Sequence, residues 1–260
     1  DRWSRVDQPA VTELRRSSDG TKIAEIERGD VAALLATGWR APERFVAKGR
    51  DGTTDIHGVI LRPTHFEPGK KYPVIFYFYE RNADGLYAYR GPAPSASTVN
   101  IAYFVSNGYL VFDPNIYYKD GEPGNSAYNS VVSAAKYLSK MPWVDSTRLA
   151  LQGQSWGGYQ IAYLVTKTNI FKAAWAGAPV SNMTSAYGGI RWGTGLNRQF
   201  QYEKSQSRIG ATLWQRPDLY LKNSPLFAAD KVTTPLVIMH NDADGAVPWY
   251  QGIEMFTAMR

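Results

Sequence analysis

At 260 residues, 44% hydrophobic and 20% charged, the chain is long enough for one large core that buries roughly three quarters of its extended surface. Its formal charge of +6 comes from scattered lysines and arginines with no run longer than the pairs Arg15-Arg16 and Lys70-Lys71, so the clustered footprint of a nucleic-acid binder is excluded. The lack of cysteine removes disulfides, thiolate metal sites and thiol nucleophiles without identifying a compartment, and the longest apolar and aromatic run, VIFYFY at 74–79, is far short of the roughly 20 residues of a membrane helix, so no span is expected.

The opening DRWSRVDQPA has neither an initiator Met nor the apolar centre of a signal peptide, and is expected to lie inside a longer protein. Two runs of β character flank Asp19-Gly20 and predict a hairpin. VAALLATGW reads as a short helical or irregular linker, and the pattern changes at Glu43, which divides the chain into 1–42 and a main domain, 43–260. There ERFVAKGRDGTTDIHGVILRP predicts two strands around the Asp51-Gly52 turn. YPVIFYFYE follows as a strand apolar on both faces, which implies layers above and below it.

GYLVFDPN reads as the next strand. SAYNSVVSAAKYLSKM is a helix with Val131, Ala135, Leu138 and Met141 on one face. RLALQGQ (strand), GGYQIAYLVTKT (helix), FKAAWAGAPV (strand), TPLVIMHND (strand) and PWYQGIEMFTAM (helix) complete the order. Alternation of this length predicts an α/β protein with a mainly parallel, doubly wound sheet whose working loops lie beyond the carboxyl ends of the strands. The connection APVSNMTSAYGGIRWGTGLNRQFQYEKSQSRIG is too long for an ordinary loop and is expected to form a lid or pocket wall.

One strand end carries chemistry. Gly153-Gln154-Ser155-Trp156-Gly157-Gly158 contains the complete pattern Gly-x-Ser-x-Gly between an apolar strand and a helix, the setting of a nucleophile elbow. So sharp a turn leaves no room for side chains at the glycines; it lifts the serine hydroxyl above the sheet and aims helix-start amides at a reacting carbonyl. A serine needs a base to take its proton and an acid to orient that base, and on α/β-hydrolases the chain order is Ser, acid, His. After Ser155, LVIMHNDADGAVP offers Asp242 and Asp244. His57 and His65 precede Ser155, and His240 stands so near Asp244 that a structural role in the acid's own loop is the simpler reading. No His follows Asp244.

PVIFYFYE, QGQSWGGYQ and HNDADGAVPWYQ, in this order and spacing, resemble the catalytic domain of the prolyl oligopeptidase family of serine peptidases over roughly Glu43 to Arg260. The resemblance implies an α/β-hydrolase fold and makes the first hairpin the remnant of a preceding β-propeller. Its pattern His-x-x-x-Asp-x-x-Val selects Asp244 as the acid over Asp242. The base would lie roughly thirty residues beyond it, so these 260 residues on their own are expected to be inactive. It implies an oxyanion hole made by the Tyr79 hydroxyl, with Tyr77 as rival, and the Trp156 amide. Tyr187, Trp192, Val247 and Trp249 would line an apolar substrate pocket.

Asn182-Met183-Thr184 fits a glycosylation acceptor, a motif frequent by chance. No phosphate loop, paired-histidine metal motif or dinucleotide fingerprint is present, so neither cofactor nor metal is expected. The function expected is a serine peptidase that cleaves short peptides through an acyl-enzyme on Ser155. The alternatives are a carboxylesterase on the same fold and a binding module that has lost catalysis.

Overall fold

The computed structural model describes residues 1–95 and 98–260. The chain opens with three antiparallel strands, β1 (Arg2–Arg5), β2 (Gln8–Arg15) and β3 (Lys22–Arg28), in the order β1-β2-β3. The turn expected at Asp19-Gly20 joins β2 to β3, with Gly20 at φ 72° and the Asp19 carboxylate accepting from the Thr21 amide at 3.0 Å. β1 was not anticipated, because RWSR has no alternation of its own and is held by pairing Arg2 with Thr12 and Trp3 with Val11. The linker contains one short helix, α1 (Ala32–Ala36).

The main sheet is built from β4 (Glu43–Lys48), β5 (Asp55–Leu61), β6 (Tyr72–Tyr77), β7 (Leu110–Pro114), β8 (Val144–Gln154) and β9 (Ala173–Gly177). A two-stranded hairpin, β10 (Ile190–Arg191) with β11 (Leu196–Asn197), stands apart, and β12 (Leu236–Met239) completes the sheet. Its seven strands run in the order β12-β9-β8-β6-β7-β5-β4. The neighbours from β12 to β7 pair in parallel, and β5 and β4 are added antiparallel.

Every residue of β7 is buried, and its side chains alternate between two cores, which places the layers. Leu110 and Phe112 enter the large core with α3 (Pro123–Leu138) and α4 (Trp156–Val165), while Val111 packs on the other face beside α2 (Ile101–Ser106). Val131, Ala135 and Leu138 of α3 are all buried in that core, as their spacing predicts. Burial of Val131 or Leu138 adds roughly 1.5–3 kcal/mol relative to exposure, and that of the smaller Ala135 less. α2 escaped the sequence reading because six residues are too few for a helical period to show.

The expected wall at 178–210 is structured. It holds α5 (Met183–Tyr187), the β10–β11 hairpin and α6 (Gln199–Glu203), and is followed by α7 (Pro217–Lys222). The chain then runs through β12 to α8 (Tyr250–Ala258). A second apolar cluster, including Trp156, Tyr159, Met183, Tyr187, Tyr202 and Val247, joins this wall to α4.

Candidate active site

β8 ends at Gln154 and α4 begins at Trp156, so one residue makes the whole turn. Ser155 does so at φ 58° and ψ −117°, a backbone region that costs a non-glycine residue of order 1–3 kcal/mol. The neighbours that hold it there are the β9 end, whose Gly177 carbonyl accepts from the Ser155 amide at 2.8 Å, and α4, whose Tyr159 amide donates to the Ser155 carbonyl at 2.9 Å. The glycines are required by the close approach of backbone. A Cβ at Gly158 would stand 2.3 Å from the Gly177 oxygen, and one at Gly157 2.7 Å from the Phe78 oxygen. Ser155 remains half-buried and shares a small pocket with Trp156, Arg198, Gln206 and Val247.

Sheet pairing in β6 stops at Tyr77, two residues short of the strand end expected at Tyr79. Beyond that point the two rival tyrosines separate. Tyr77 packs with Val99, Val105 and Val111 on the α2 face, where burial pushes its phenol up to about 12. Tyr79 packs against the cluster that contains Trp156. Its hydroxyl accepts from Gln206 Nε2 at 2.8 Å, and Gln201 Nε2 donates to Gln206 Oε1 at 2.7 Å. With the acceptor position occupied in this way, the Tyr79 O–H is left to donate elsewhere. Gln160 Nε2 donates to the Tyr79 carbonyl at 2.7 Å and fixes its backbone.

Trp156 is the first helical residue, so its amide has no intrahelical acceptor. Its indole stacks on Tyr159 with centroids 4.4 Å apart and donates from Nε1 to the Tyr118 hydroxyl at 2.8 Å. The Tyr118 phenol, raised by burial, stays a neutral donor and completes the support by donating to Gln160 Oε1 at 3.0 Å.

The loop after β12 carries the acid candidates. Asp244 Oδ1 accepts from the amides of Ala246 at 2.8 Å and Val247 at 3.0 Å, while its Oδ2 lies 3.8 Å from His240 Nε2. Val247 is the residue of this loop that reaches the Ser155 pocket, so Asp244 braces the pocket's edge. Asp242 is exposed. His240, its side chain 6% exposed, lies within 3.5 Å of the Val247 carbonyl, Nε2 to O 2.9 Å, and packs on Gly252 of α8. His57 sits on β5 beside Arg44, and His65 follows that strand. Among the described residues, no hydrogen bond joins any histidine to the Ser155 hydroxyl.

Of the four pocket residues expected, Val247 lines the pocket with Ser155. Tyr187 is buried one layer behind, against Tyr220 and Trp214, with its hydroxyl donating to Glu203 Oε1 at 2.5 Å. Trp192 is 70% exposed on the β10–β11 turn and Trp249 48% exposed at the start of α8. Asn182 caps α5 and is buried, its Nδ2 donating to Glu254 Oε2 at 2.6 Å, which leaves no room for a glycan.

The sequence reading missed Arg198, Gln201 and Gln206. Arg198 is 2% exposed; its guanidinium donates to the Ala246 carbonyl, lies over the Tyr202 ring, and leaves Nε without a partner. It ties α6 to the Asp244 loop, as the Gly193 amide does from the hairpin by donating to the Gly245 carbonyl at 2.8 Å. α6 is five residues long, so no periodicity announced it; the one visible cue was a density of polar side chains inside a connection too long to be filler.

A strained serine between a parallel strand and a helix, on a sheet covered on both faces, defines a hydrolase of the α/β-hydrolase fold. The chain belongs to the prolyl oligopeptidase family of serine peptidases: the Peptidase_S9 family model, described as "Prolyl oligopeptidase family", matches residues 94–260. It is 28% identical over 233 residues to the uncharacterized peptidase YuxL of Bacillus subtilis, covering 84% of this chain and 33% of that protein. It is 26% identical over 230 residues to dipeptidyl-peptidase 5 of Porphyromonas endodontalis, covering 77% and 29%. Among solved structures, Porphyromonas gingivalis dipeptidyl peptidase 4 superposes with a TM-score of 0.77 at 21% identity, covering 99% of this chain and 36% of that one. Pyrococcus horikoshii acylaminoacyl peptidase gives 0.72 at 20% identity, covering 99% and 40%. The chain thus spans about a third of the length of the relatives it matches.

Proposed function

We propose that this chain is the catalytic part of a peptidase that hydrolyses short peptides through an acyl-enzyme on Ser155. The observation that carries the reading is the Ser155 turn, flanked by the Trp156 amide and the Tyr79 phenol. Ser155 Oγ attacks the scissile carbonyl as a base takes its proton. The Tyr79 O–H and Trp156 N–H hold the oxyanion that forms, and a water molecule later releases the acyl group. Asp244 is the acid that orients the base: its Oδ1 is fixed by two loop amides and Oδ2 remains to accept from an imidazole. The base is none of the three histidines here, since His57 and His65 belong to β5 and the loop after it, and His240 is engaged beneath the Val247 carbonyl. Val247 forms the apolar wall beside the nucleophile; Tyr187 supports it from behind, and Trp192 and Trp249 are rim contacts for a longer substrate. The antiparallel strands β1 to β3, outside the hydrolase sheet, are the edge of a preceding propeller.

The test is to compare dipeptidyl amides with short-chain esters on the whole protein and on its Ser155→Ala variant. Amide cleavage lost in the variant is expected. Ester cleavage alone would make the protein an esterase, and loss of neither activity would remove Ser155 from the chemistry. Rapid labelling of the isolated 260-residue chain by a fluorophosphonate, abolished by His240→Ala, would restore His240 as the base.

A further inference from the structure

On the α2 face of the sheet lies a separate cavity of about 500 Å³ that shares no lining residue with the Ser155 pocket. Its walls include Trp39, Leu61, Tyr77 and Ile101, and two ionisable side chains, Asp113 and Arg90, also line it. Asp113 projects from β7 and is 3% exposed, with its Oδ1 buried and without a hydrogen-bond partner. Burial pushes its carboxyl up to about 8, outweighing the opposing effects of the Asn82 side chain and the Arg90 charge. Arg90 stands near enough to favour the ionised acid but forms no salt bridge with it among the described residues; its guanidinium donates to the Asn82 carbonyl at 3.5 Å.

The wall that carries Arg90 is anchored. Fully buried Asn115 accepts from the Ala83 amide at 2.9 Å and donates to Asp84 at 2.5 Å, and the Tyr89 amide donates to Ser4 Oγ on β1 at 3.2 Å. A buried acid with an unpartnered oxygen and a base outside any salt bridge among the described residues thus border one apolar space. A buried carboxyl oxygen left unpaired is costly, and a ligand that satisfies it gains both the pairing and the apolar contact. A purely apolar guest would leave Asp113 orphaned, and a simple anion would engage Arg90 without filling the apolar space.

We propose that this cavity binds an apolar amino acid or dipeptide with both ends free, its ammonium on Asp113, its carboxylate on Arg90 and its side chains against Leu61, Tyr77, Trp39 and Ile101. The ligand class is that of a peptidase's own products, and the site lies apart from the Ser155 pocket.

The experiment is calorimetric titration of the Ser155→Ala chain with the dipeptide Phe-Leu, its N-acetyl form and its C-terminal amide. Phe-Leu is expected to bind. Acetylation or Asp113→Asn should weaken it at least about tenfold, and amidation or Arg90→Gln by less, as suits a contact nearer solvent. Leu61→Trp, which fills the cavity, should block it. Because the acetyl comparison needs no variant, it stands even where a substitution disturbs folding. Absence of Phe-Leu binding, equal binding of the acetyl form, or binding indifferent to Asp113→Asn and Leu61→Trp would overturn the proposal. Since all titrations use Ser155→Ala, none of these results depends on Ser155 being the nucleophile.

Discussion

The Ser155 turn and the wall that faces it are built on different principles. The turn is fixed by backbone against backbone: Gly157 and Gly158 let α4 press against the carbonyls of Phe78 and Gly177, and the hydrogen bond from the Ser155 amide to Gly177 locks the strained residue. The wall from Ser181 to Gly210 is fixed by side chains. Arg198 reaches the Ala246 carbonyl, Gln201 and Gln206 lead to Tyr79, and Asn182 and Ser185 meet Glu254. A site made this way has an immovable nucleophile and an adjustable surround. Changes to the turn should therefore be all-or-none, and changes to the wall graded.

The most severe break is removal of the nucleophile. In the whole protein, Ser155→Ala should lower turnover of a dipeptidyl amide by on the order of 10⁶ with the fold intact, measured by steady-state kinetics beside circular dichroism. A residual rate within a hundredfold of the parent would mean that the turn is structural. Next comes Tyr79→Phe, which removes one oxyanion donor and should cost about 10²–10³ in turnover. An unchanged rate would return Tyr79 to a packing role.

Gly158→Ala probes the turn itself. The new methyl meets the Gly177 oxygen, a backbone atom that cannot rotate aside, so the chain should lose about 3 kcal/mol in urea unfolding. Gly210, which has no neighbour within 4 Å of its Cβ direction but sits at φ 83°, is the control; alanine there meets only conformational strain, of about 1 kcal/mol. Equal losses would show that close approach is not what the elbow glycines serve.

The smallest effect is expected in the wall. Gln206→Leu removes the donor that occupies the Tyr79 oxygen, and should lower turnover up to about tenfold with KM unchanged, the mark of a transition-state contact. In a Tyr79→Phe background it should add nothing, because the two residues act as one unit. Full additivity in that cycle would detach Gln206 from the oxyanion hole.

The same contrast explains what the sequence disclosed. The elbow was legible because its physics is local: a glycine pattern, an apolar strand before it and a helix after it fall within thirteen consecutive residues, Ala150 to Ala162. The mainly parallel character of the sheet was legible from the alternation of elements, and Val131, Ala135 and Leu138 from helical spacing. Arg198, Gln201 and Gln206 were not, because what places them is contact with Ala246 and Tyr79, far away in the chain. Tyr77 and Tyr79 were indistinguishable on a strand whose alternation puts both on one side; they separate only because pairing in β6 ends between them. The aromatic residues of the wall illustrate the limit, since Tyr187 and Trp192 are five residues apart yet one is buried and the other 70% exposed.

The measurement closest to the centre of the mechanism is covalent labelling of the whole protein with a fluorophosphonate, followed by peptide mass spectrometry. One adduct per chain on Ser155, lost in Ser155→Ala and suppressed by a competing dipeptide substrate, is the expected result. An adduct on another residue, or labelling that survives Ser155→Ala, would contradict the assignment of Ser155 as the nucleophile.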